Sequence, residues 1–379
     1  MLSRTEVYSL PRGRLAKWLA EPGQDMPREI RVALVGTLFG TLPIFFGGVF
    51  NTIAVAWALE SRHPSLPFRA WLIGEILICA IRLVVLVLAR RRALQHRATP
   101  TDVYLTLAPL WGASVGYGAF ISALSGDWVA ATLSFLSAAA MVGGICFRNF
   151  AAPRLVAVMI VLSLGPCALG SLLSGEKVLW LSLIQIPFYL FAMSAAARRL
   201  NAMLITTMKA ERENSHRAHH DMLTGLLNRA GLFQAANGKV RPLIRAGMTL
   251  FYLDLDGFKP VNDAYGHEAG DRLLSQVAER LRRLAGPDAL VARIGGDEFV
   301  IVDECGAHTT PGDFAREIAL EIARPIELGG QIVATVGASI GIAPVTTRGA
   351  DIDTLLRIAD AAMYDAKRNN KRGDVDSAA

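Results

Sequence analysis

Two acidic residues follow a pair of glycines in the C-terminal half of the chain, in the stretch Arg293 to Phe299, which reads RIGGDEF. Apolar runs flank this stretch on both sides, so the pattern predicts a β-hairpin whose turn carries Asp297 and Glu298. Glycines at such a turn allow a positive φ and let another group come close to the backbone. Adjacent carboxylates repel each other unless a cation or a donor lies between them. Acids on a turn are most often only solvated, so the rest of the chain must decide whether this turn is a site.

A second acidic position follows the apolar run Met248 to Leu253, which predicts a buried strand. Asp254 ends that strand, and we expect the hairpin to pair beside it and to bring Asp297 close to Asp254. Two carboxylates at adjacent strand ends suit Mg²⁺, which completes its coordination with phosphate oxygens and water. The alternative is an acid-rich rim of the sheet that binds no ligand.

Three polar residues after this strand suit a nucleotide. Lys259 supplies a point charge that can meet a phosphate. Asn262 offers a donor and an acceptor, and Asp271 accepts from two donors, which suits the donor-rich Watson–Crick edge of guanine. Together with Asp254 and Asp297, these residues predict a nucleotide–Mg²⁺ site.

The elements that must position these residues alternate between strands and helices from residue 221 onward. The pattern predicts a strand, a helix, the hairpin, a helix, a strand and a final helix, at residues 248–253, 266–283, 289–303, 311–323, 333–342 and 352–368. This order indicates an α+β fold in which helices cover an antiparallel sheet.

The N-terminal half has a different composition. The chain has 379 residues, which favours two domains; 52% of them are hydrophobic and 19% are charged. The mean hydropathy of +0.36 is too high for an ordinary soluble protein of this size. Six apolar segments have about the 20 residues that a helix needs to cross a bilayer. They are Val32–Leu59, Trp71–Ala89, Val103–Leu124, Trp128–Phe147, Leu155–Leu173 and Val178–Ala197. Pro43 and two glycines in the first segment predict a kink or a tilt.

Basic residues accumulate in alternate loops between these segments, and such loops face the cytoplasm. With an even number of spans, this bias predicts a multi-pass membrane protein with both termini in the cytoplasm. The net charge of +6 is therefore assigned to membrane topology, and no nucleic-acid polymer is expected as a partner.

Two charged residues lie inside the second segment. Glu75 and Arg82 are seven residues apart, so they share a helix face. Charges within a membrane are costly, which makes them candidates for a functional role. The alternative is that both reach the interface or pair with neighbouring helices. The four cysteines form no CxxC pair, so neither a zinc site nor a disulfide framework is expected.

The linker at residues 198–220 is polar and contains no glycine or proline. Leu200, Leu204 and Met208 fall on one side of a helix that would continue out of the sixth segment. This pattern predicts a stalk, which could form a short parallel coiled coil between two copies of the chain. A solvated helix of a monomer is the alternative.

Several short motifs follow one another after the linker in the order and spacing of one family. They are Asp221 to Arg229 (DMLTGLLNR), Asp254 to Lys259 (DLDGFK), Asn262-Asp263, Gly266-His267, Gly270-Asp271, Gly295 to Phe299, Ser339 to Ala343 and Ala359 to Lys367. With these motifs, residues 221–373 resemble the GGDEF domain of diguanylate cyclases. The resemblance covers this region alone and carries no information on the membrane half.

The resemblance implies a nucleotidyl-cyclase, palm-like α+β fold and the condensation of two GTP into cyclic di-GMP by a homodimer. It implies that Asp254, the carbonyl of Leu255 and Asp297 hold Mg²⁺ or Mn²⁺ on the triphosphate. Asp297 or Glu298 would help to remove the proton from the attacking 3′-hydroxyl.

The substrate contacts follow from the same resemblance. Asn262 and Asp271 would select guanine. The residues near the phosphates would be Lys259, Gly295, Gly296, Lys367 and Lys371.

The chain departs from the family pattern at two places. Lys371 stands where an arginine is common, which replaces a bidentate fork by a point charge. Gly286 and Ala289 stand where many members carry an Arg-x-x-Asp pair that binds product. We therefore predict that this chain has no inhibitory product site there.

The sequence leaves three functions open: a cyclase regulated by its membrane domain, a non-catalytic GGDEF receptor that binds GTP or cyclic di-GMP, and a transporter with an appended domain. The intact acids and glycines of the signature favour the cyclase. The lack of paired broken helices argues against the transporter. The predicted regions are a cytoplasmic segment at 1–31, six transmembrane helices at 32–197, a stalk at 198–220, the cyclase domain at 221–373 and a tail at 374–379.

Overall fold

The computed structural model of the chain divides into two compact units, Met1–Ala210 and Glu211–Ala379. We call them the membrane unit and the mixed α/β unit. The structure describes residues 7–20, 26–40, 42–237, 244, 246–304, 310–329, 332–346 and 351–376, with side chains up to residue 368.

Helices form all of the regular structure described in the membrane unit. In chain order they are α1 (Arg14–Ala20), α2 (Arg28–Thr37), α3 (Leu42–Arg62), α4 (Leu66–Leu94), α5 (Thr101–Leu124), α6 (Trp128–Asn149), α7 (Pro153–Leu173), a short 3₁₀ turn (Lys177–Leu181) and α8 (Ser182–His219). Six helical stretches, α3 to α7 and Lys177–His219, are long and apolar enough to span a membrane. The prediction of six such helices is confirmed.

The predicted start of the first span at Val32 is wrong. Helix α2 ends at Thr37, and a separate helix, α3, begins at Leu42. Pro43 is the second residue of α3, where the missing N–H of proline costs nothing because the first turn has no partner for it. The proline read as a kink inside one helix therefore lies at the start of a new one.

Small residues bring α5 into backbone contact with α7. A Cβ on Gly116 would lie 2.1 Å from the carbonyl oxygen of Leu162, and one on Gly112 would lie 3.1 Å from that of Met159. Helices that pack without a hydrophobic driving force use such residues to approach closely. The small residues of this helix are explained by packing.

Helix α8 continues without a break through the predicted stalk as far as His219. Leu204 and Met208 are partly buried and pack against the core of the membrane unit. Two of the three residues assigned to a coiled-coil face therefore already have contacts within their own chain.

The mixed α/β unit contains a four-stranded antiparallel sheet in the order β2-β3-β1-β6. Its elements are α9 (Arg229–Ala236), β1 (Thr249–Asp256), α10 (Phe258–Tyr265), α11 (His267–Leu284), β2 (Leu290–Arg293), β3 (Glu298–Asp303), α12 (Pro311–Ile322), β4 (Ile326–Gly329), β5 (Ile332–Ala334), β6 (Gly337–Pro344) and α13 (Ile352–Asp376). The α+β class with an antiparallel sheet is confirmed. The single strand predicted at residues 333–342 is wrong, because β5 pairs with β4 in a separate hairpin and β6 alone joins the main sheet.

Helices cover both faces of this sheet. Phe251 and Leu253 of β1 share one core with α11 and α12. Leu250 and Tyr252 share the other core with residues of α9 and α13. Since side chains alternate along a strand, Asp254 lies on the α13 side of the sheet with Tyr252.

Candidate active site

The acidic turn between β2 and β3 is docked on the end of β1. The amide of Ile294 donates to the carbonyl of Glu298 across the hairpin at 3.0 Å, and the amide of Leu255 donates to the carbonyl of Asp297 at 3.2 Å. In the pairing of β1 with β3, Asp254 is opposite Glu298. The structure thus brings Asp254, Leu255, Asp297 and Glu298 to one end of the sheet, as the sequence predicted.

Gly295 lies directly against the carboxylate of Glu298. A Cβ at Gly295 would be 2.1 Å from Oε2 of Glu298, whereas a Cβ at Gly296 would meet nothing within 4 Å. The positive φ that the sequence suggested is absent from both glycines. The first glycine is therefore required by the close approach of an acidic side chain, and the second leaves open space over the turn.

Glu298 lies in a strongly acidic environment. Burial raises the pKa of its carboxyl group, and the charges of Asp254, Asp297 and Asp360 raise it further, against a lowering by a hydrogen bond from Tyr252. Burial and the nearby Glu298 also raise the pKa of the Tyr252 hydroxyl, which remains a donor at neutral pH. Sequence reasoning missed Tyr252, although its position two residues before Asp254 places both on one face of β1.

Lys367 of α13 forms an ion pair with Asp254. Burial lowers the pKa of its ammonium group, but the hydrogen bond with Asp254 and the charges of Asp254, Asp256 and Asp297 outweigh this, so the pKa is raised. Lys367 is therefore fully charged at neutral pH. The sequence placed Lys367 near phosphates, and the structure shows that it also neutralises the strand-end carboxylate.

The oxygen atoms at this end of the sheet fit a hard divalent cation. Asp254, Asp297 and the carbonyl of Leu255 belong to the docked turn and strand, and Asp254 already has a cation beside it. No group of three or more His, Cys, Asp or Glu side chains within the described residues is suited to a metal. Two carboxylates with a carbonyl fit Mg²⁺, which takes one or two protein carboxylates and fills its shell with phosphate and water.

Arg293 fixes the turn from its other side. Its guanidinium donates to the carbonyl of Gly296 at 2.8 and 3.1 Å and to the carboxylate of Asp221 at 3.0 and 3.2 Å. Burial raises the pKa of Asp221, but hydrogen bonds from Thr224 and Arg293 lower it more, so the net shift is downward. Asp221 and Arg293 both lie within the sequence motifs, but the sequence alone predicted no role for either residue. The signal was an arginine directly before the turn and an aspartate at the end of the linker.

The residues predicted to bind guanine are near each other on α10 and α11. A Cβ at Gly270 would lie 1.7 Å from Oδ1 of Asn262, so the amide of Asn262 rests on the backbone just before Asp271. Oδ1 of Asn262 is buried and has no hydrogen-bond partner in the described ranges of the chain. Asp271 and Lys259 are exposed. An unsatisfied buried acceptor beside an exposed carboxylate fits a ligand that donates hydrogen bonds.

Lys371 lies in the last part of α13, where the structure describes the backbone alone. Gly286 and Ala289 lie in the loop between α11 and β2. The amide of Gly286 donates to Asp303 at 2.9 Å. Neither residue carries a charged side chain, so these two positions supply no cation or carboxylate to a product.

Comparisons with known proteins identify the family of the C-terminal region. Residues 218–373 match the family model "Diguanylate cyclase, GGDEF domain". The bifunctional diguanylate cyclase/cyclic di-GMP phosphodiesterase MucR of Pseudomonas aeruginosa is 36% identical over 199 residues, which are 52% of this chain and 29% of that protein. The diguanylate cyclase DgcP of Escherichia coli is 31% identical over 202 residues, which are 52% of this chain and 59% of that protein. The chain thus spans less than two thirds of the length of these relatives.

Among solved structures, a sensory box/GGDEF family protein from Caulobacter crescentus is 34% identical. The match covers 40% of this chain and 99% of that chain, with a TM-score of 0.35. The family model covers the C-terminal part of the chain. The chain is therefore a member of the GGDEF family, and its GGDEF domain lies at residues 218–373.

Proposed function

We propose that this protein is a membrane-anchored diguanylate cyclase, which condenses two GTP into cyclic di-GMP and two pyrophosphates. The observation that carries the proposal is the docking of the acidic turn on β1, where Asp254, Asp297 and Glu298 share one end of the sheet with Lys367. Half-buried carboxylates with a single lysine leave a site that favours a cationic ligand or a metal–nucleotide complex.

Asp254, Asp297 and the carbonyl of Leu255 would hold Mg²⁺ or Mn²⁺. When bound, the metal neutralises charge on the triphosphate and on the departing pyrophosphate. Lys367, which is charged and lies beside Asp254, would contact a phosphate oxygen at the same place. The open space over Gly296 leaves room for the triphosphate to approach the turn.

In the proposed reaction, the 3′-oxygen of one GTP bonds to the α-phosphorus of a second GTP, the bond from that phosphorus to the pyrophosphate breaks, and pyrophosphate leaves. Glu298 or Asp297 accepts the proton of the 3′-hydroxyl. The surroundings of Glu298 favour it, since a raised pKa makes a carboxylate a better proton acceptor near neutral pH. Closure of the ring repeats this step with the roles of the two GTP molecules exchanged, and a second pyrophosphate leaves. Two domains of a homodimer would therefore each present one GTP.

Recognition of the substrate involves both sides of the site. The unsatisfied Oδ1 of Asn262 and the carboxylate of Asp271 would accept hydrogen bonds from guanine. Lys259, Gly295, Gly296 and Lys371 would lie along the phosphates.

The six apolar helices support attachment to a bilayer. We propose residues 42–197 as the membrane domain, 198–220 as a stalk through which two copies associate, and 221–373 as the cyclase domain. The distribution of basic loops supports a cytoplasmic GGDEF domain with both termini in the cytoplasm. We propose the bacterial inner membrane as the location, because the relatives MucR and DgcP are bacterial proteins. The membrane domain would regulate turnover.

An assay of the full chain in detergent separates this function from a non-catalytic receptor. GTP binding is measured by equilibrium dialysis, and product is measured by chromatography after incubation with GTP and Mg²⁺. A cyclase yields cyclic di-GMP and pyrophosphate in a ratio of one to two. A dimeric, folded protein that binds GTP without forming cyclic di-GMP would be a receptor.

A further inference from the structure

Arg82 is a buried cation in the middle of α4. Only 3% of its surface is exposed, and its Nε has no hydrogen-bond partner among the residues that the structure describes. Its guanidinium carbon lies 4.5 Å from the ring centre of Trp111 and 5.4 Å from that of Phe45. Aromatic faces attract a cation, but they do not accept the directed N–H bonds of a guanidinium.

Glu75 does not serve as the counter-ion of Arg82, although both lie on α4. Its carboxylate accepts from Nε1 of Trp111 at 2.8 Å, from Oγ of Ser114 at 2.5 Å and from Sγ of Cys79 at 3.5 Å. No ion pair joins Glu75 to Arg82, and both residues are within the described part of the chain. The carboxylate of Glu75 is therefore held by neutral donors, and within the described part of the chain no carboxylate pairs with the guanidinium of Arg82.

A cavity lies beside Arg82. Its walls come from α3 to α7 and include Phe45, Arg82, Trp111, Arg148, Asn149 and Met159. The cavity volume available to the centres of water molecules is about 20 Å³. By the same measure, one bound water needs roughly 10–15 Å³. The space therefore suits one or two small atoms or a compact polyatomic ion.

A second arginine forms another wall of this cavity. Arg148 is 5% exposed, donates to the hydroxyl of Tyr104 at 2.6 and 3.2 Å, and has its guanidinium carbon 4.9 Å from the ring centre of Phe45. Both guanidiniums therefore lie near the Phe45 ring and line one small space. Arg148 therefore adds a second guanidinium to the wall of this cavity.

We propose that this cavity of the membrane unit binds a small monovalent anion of the size of chloride, nitrate or formate. The Nε of Arg82, which has no partner among the described residues, supplies a charged donor, Arg148 lines the same cavity, and the cavity volume excludes larger anions. Water alone would satisfy the hydrogen bonds but would leave the charge in place. This inference concerns the membrane unit and does not depend on the proposed cyclase reaction.

The chain offers a signal that reports this unit alone. All six tryptophans, Trp18, Trp57, Trp71, Trp111, Trp128 and Trp180, lie before residue 210. The thermal unfolding of the full chain in detergent is therefore followed by tryptophan fluorescence. Sodium chloride, sodium nitrate and sodium formate are each titrated against sodium gluconate at constant ionic strength, since gluconate is too large for the cavity.

We expect the unfolding midpoint to rise by several degrees and to saturate with at least one of the three anions, because a ligand that binds the folded state stabilises it. Arg82→Leu should abolish this rise. Arg91→Leu, an exposed position on the same helix, should retain it. If Arg82→Leu does not fold, Arg82→Lys should raise the half-saturating concentration at least tenfold through the loss of the fork.

The absence of a saturable rise with all three anions in the wild-type protein would overturn the proposal. An equal rise in Arg82→Leu, or an unchanged half-saturating concentration in Arg82→Lys, would do the same.

Discussion

Arg293 of the GGDEF domain and Arg82 of the membrane unit are both largely buried, but among the described residues only the first has hydrogen-bond or ion-pair partners. Arg293 donates to Asp221 and to the carbonyl of Gly296, and its side chain is 13% exposed. Arg82 is 3% exposed, lies over two aromatic rings, and has an unsatisfied Nε. A buried arginine with internal partners fixes a neighbouring segment, whereas one without them has a charge that a ligand can neutralise. Arg293 therefore positions the acidic turn, whereas Arg82 is the residue that we propose binds an anion.

The same contrast holds for the carboxylates of the two regions. Glu75 accepts hydrogen bonds from neutral donors. Glu298 has three other acids nearby and a raised pKa. The acids of the GGDEF domain are crowded around one point, so their repulsion is relieved when a cation or a proton arrives. This crowding is the property we connect with catalysis.

The largest effect is expected from adding one methyl group beside the crowded acids. Gly295→Ala places a Cβ where the carboxylate of Glu298 lies, so the side chain must move. Since a displacement of about 1 Å can cost 10²-fold in rate, we expect turnover to fall by about that factor.

Gly296→Ala is the matched variant, because its Cβ meets nothing within 4 Å. We expect it to lose less activity than Gly295→Ala, and both to unfold near the wild-type midpoint. Steady-state formation of cyclic di-GMP and thermal unfolding give the two readouts. Equal losses in the two variants would show that the contact with Glu298 is not the cause.

Removal of the positioning arginine should cost stability as well as turnover. Arg293→Gln leaves the half-buried Asp221 without its cation and frees the carbonyl of Gly296. We expect the GGDEF domain to lose about 1–3 kcal/mol of unfolding free energy. Arg82→Leu should lose none in gluconate buffer, because no internal ion pair is broken. A destabilisation of the same size in both variants would contradict the distinction between the two arginines.

The same arginine gives a pH dependence with a defined sign. The pKa of Asp221 in the folded protein lies below its value in the unfolded chain. Its contribution to the free energy of unfolding is therefore present above the unfolded pKa and is lost as the pH falls through the folded pKa. In Arg293→Gln, the free energy of unfolding should fall less on acidification than in the wild-type protein. Denaturant unfolding at acidic and neutral pH measures it, and an unchanged pH dependence would show that the ion pair does not contribute.

Two variants should move the acidic limb of the pH–rate profile in opposite directions. Tyr252→Phe removes a hydrogen bond that lowers the pKa of Glu298, so the limb should move to higher pH. Asp360→Asn removes a negative charge that raises this pKa, so the limb should move to lower pH. Turnover measured at saturating GTP over a pH series tests both. Shifts in the same direction would exclude Glu298 as the group that the limb reports.

The smallest expected effect is that of added cyclic di-GMP on the rate of turnover. Gly286 and Ala289 offer no charged side chains for cyclic di-GMP, so product added at the start of the assay should not reduce turnover noncompetitively. Initial rates at several GTP concentrations distinguish this from simple competition. Potent noncompetitive inhibition would show that the product binds elsewhere on the protein.

The position of the acidic cluster could be predicted because it depends on local patterns. The apolar run before Asp254 indicated a buried strand, and the glycines before Asp297 indicated a turn. An antiparallel partner then had to bring the two together. The break between α2 and α3 and the separate β4–β5 hairpin could not be predicted in the same way. Both depend on which of two short apolar segments packs against a neighbour, and hydrophobicity alone does not encode that choice.

The roles of Gly295, Arg293 and Arg82 could not be derived from residue types. A glycine beside Glu298 looks the same in sequence whether it allows a positive φ or makes room for a carboxylate. An arginine likewise gives no sign of whether its partner is 72 residues away, as Asp221 is from Arg293, or whether it has none. Such distinctions appear only when long-range contacts are known.

The assignment of the docked turn as the catalytic centre is tested most directly by removing the charge of Asp297 without changing the shape of its side chain. The rate of cyclic di-GMP formation by the full chain is compared for the wild-type protein, Asp297→Asn and Asp297→Glu, with the exposed Asp365→Asn as the control. If the docked turn is the catalytic centre, Asp297→Asn should lose on the order of 10³-fold in turnover, since the lost charge acts in the transition state. Asp297→Glu should keep measurable turnover, and Asp365→Asn should match the wild-type rate. Wild-type turnover in Asp297→Asn would contradict the assignment of this turn as the active site.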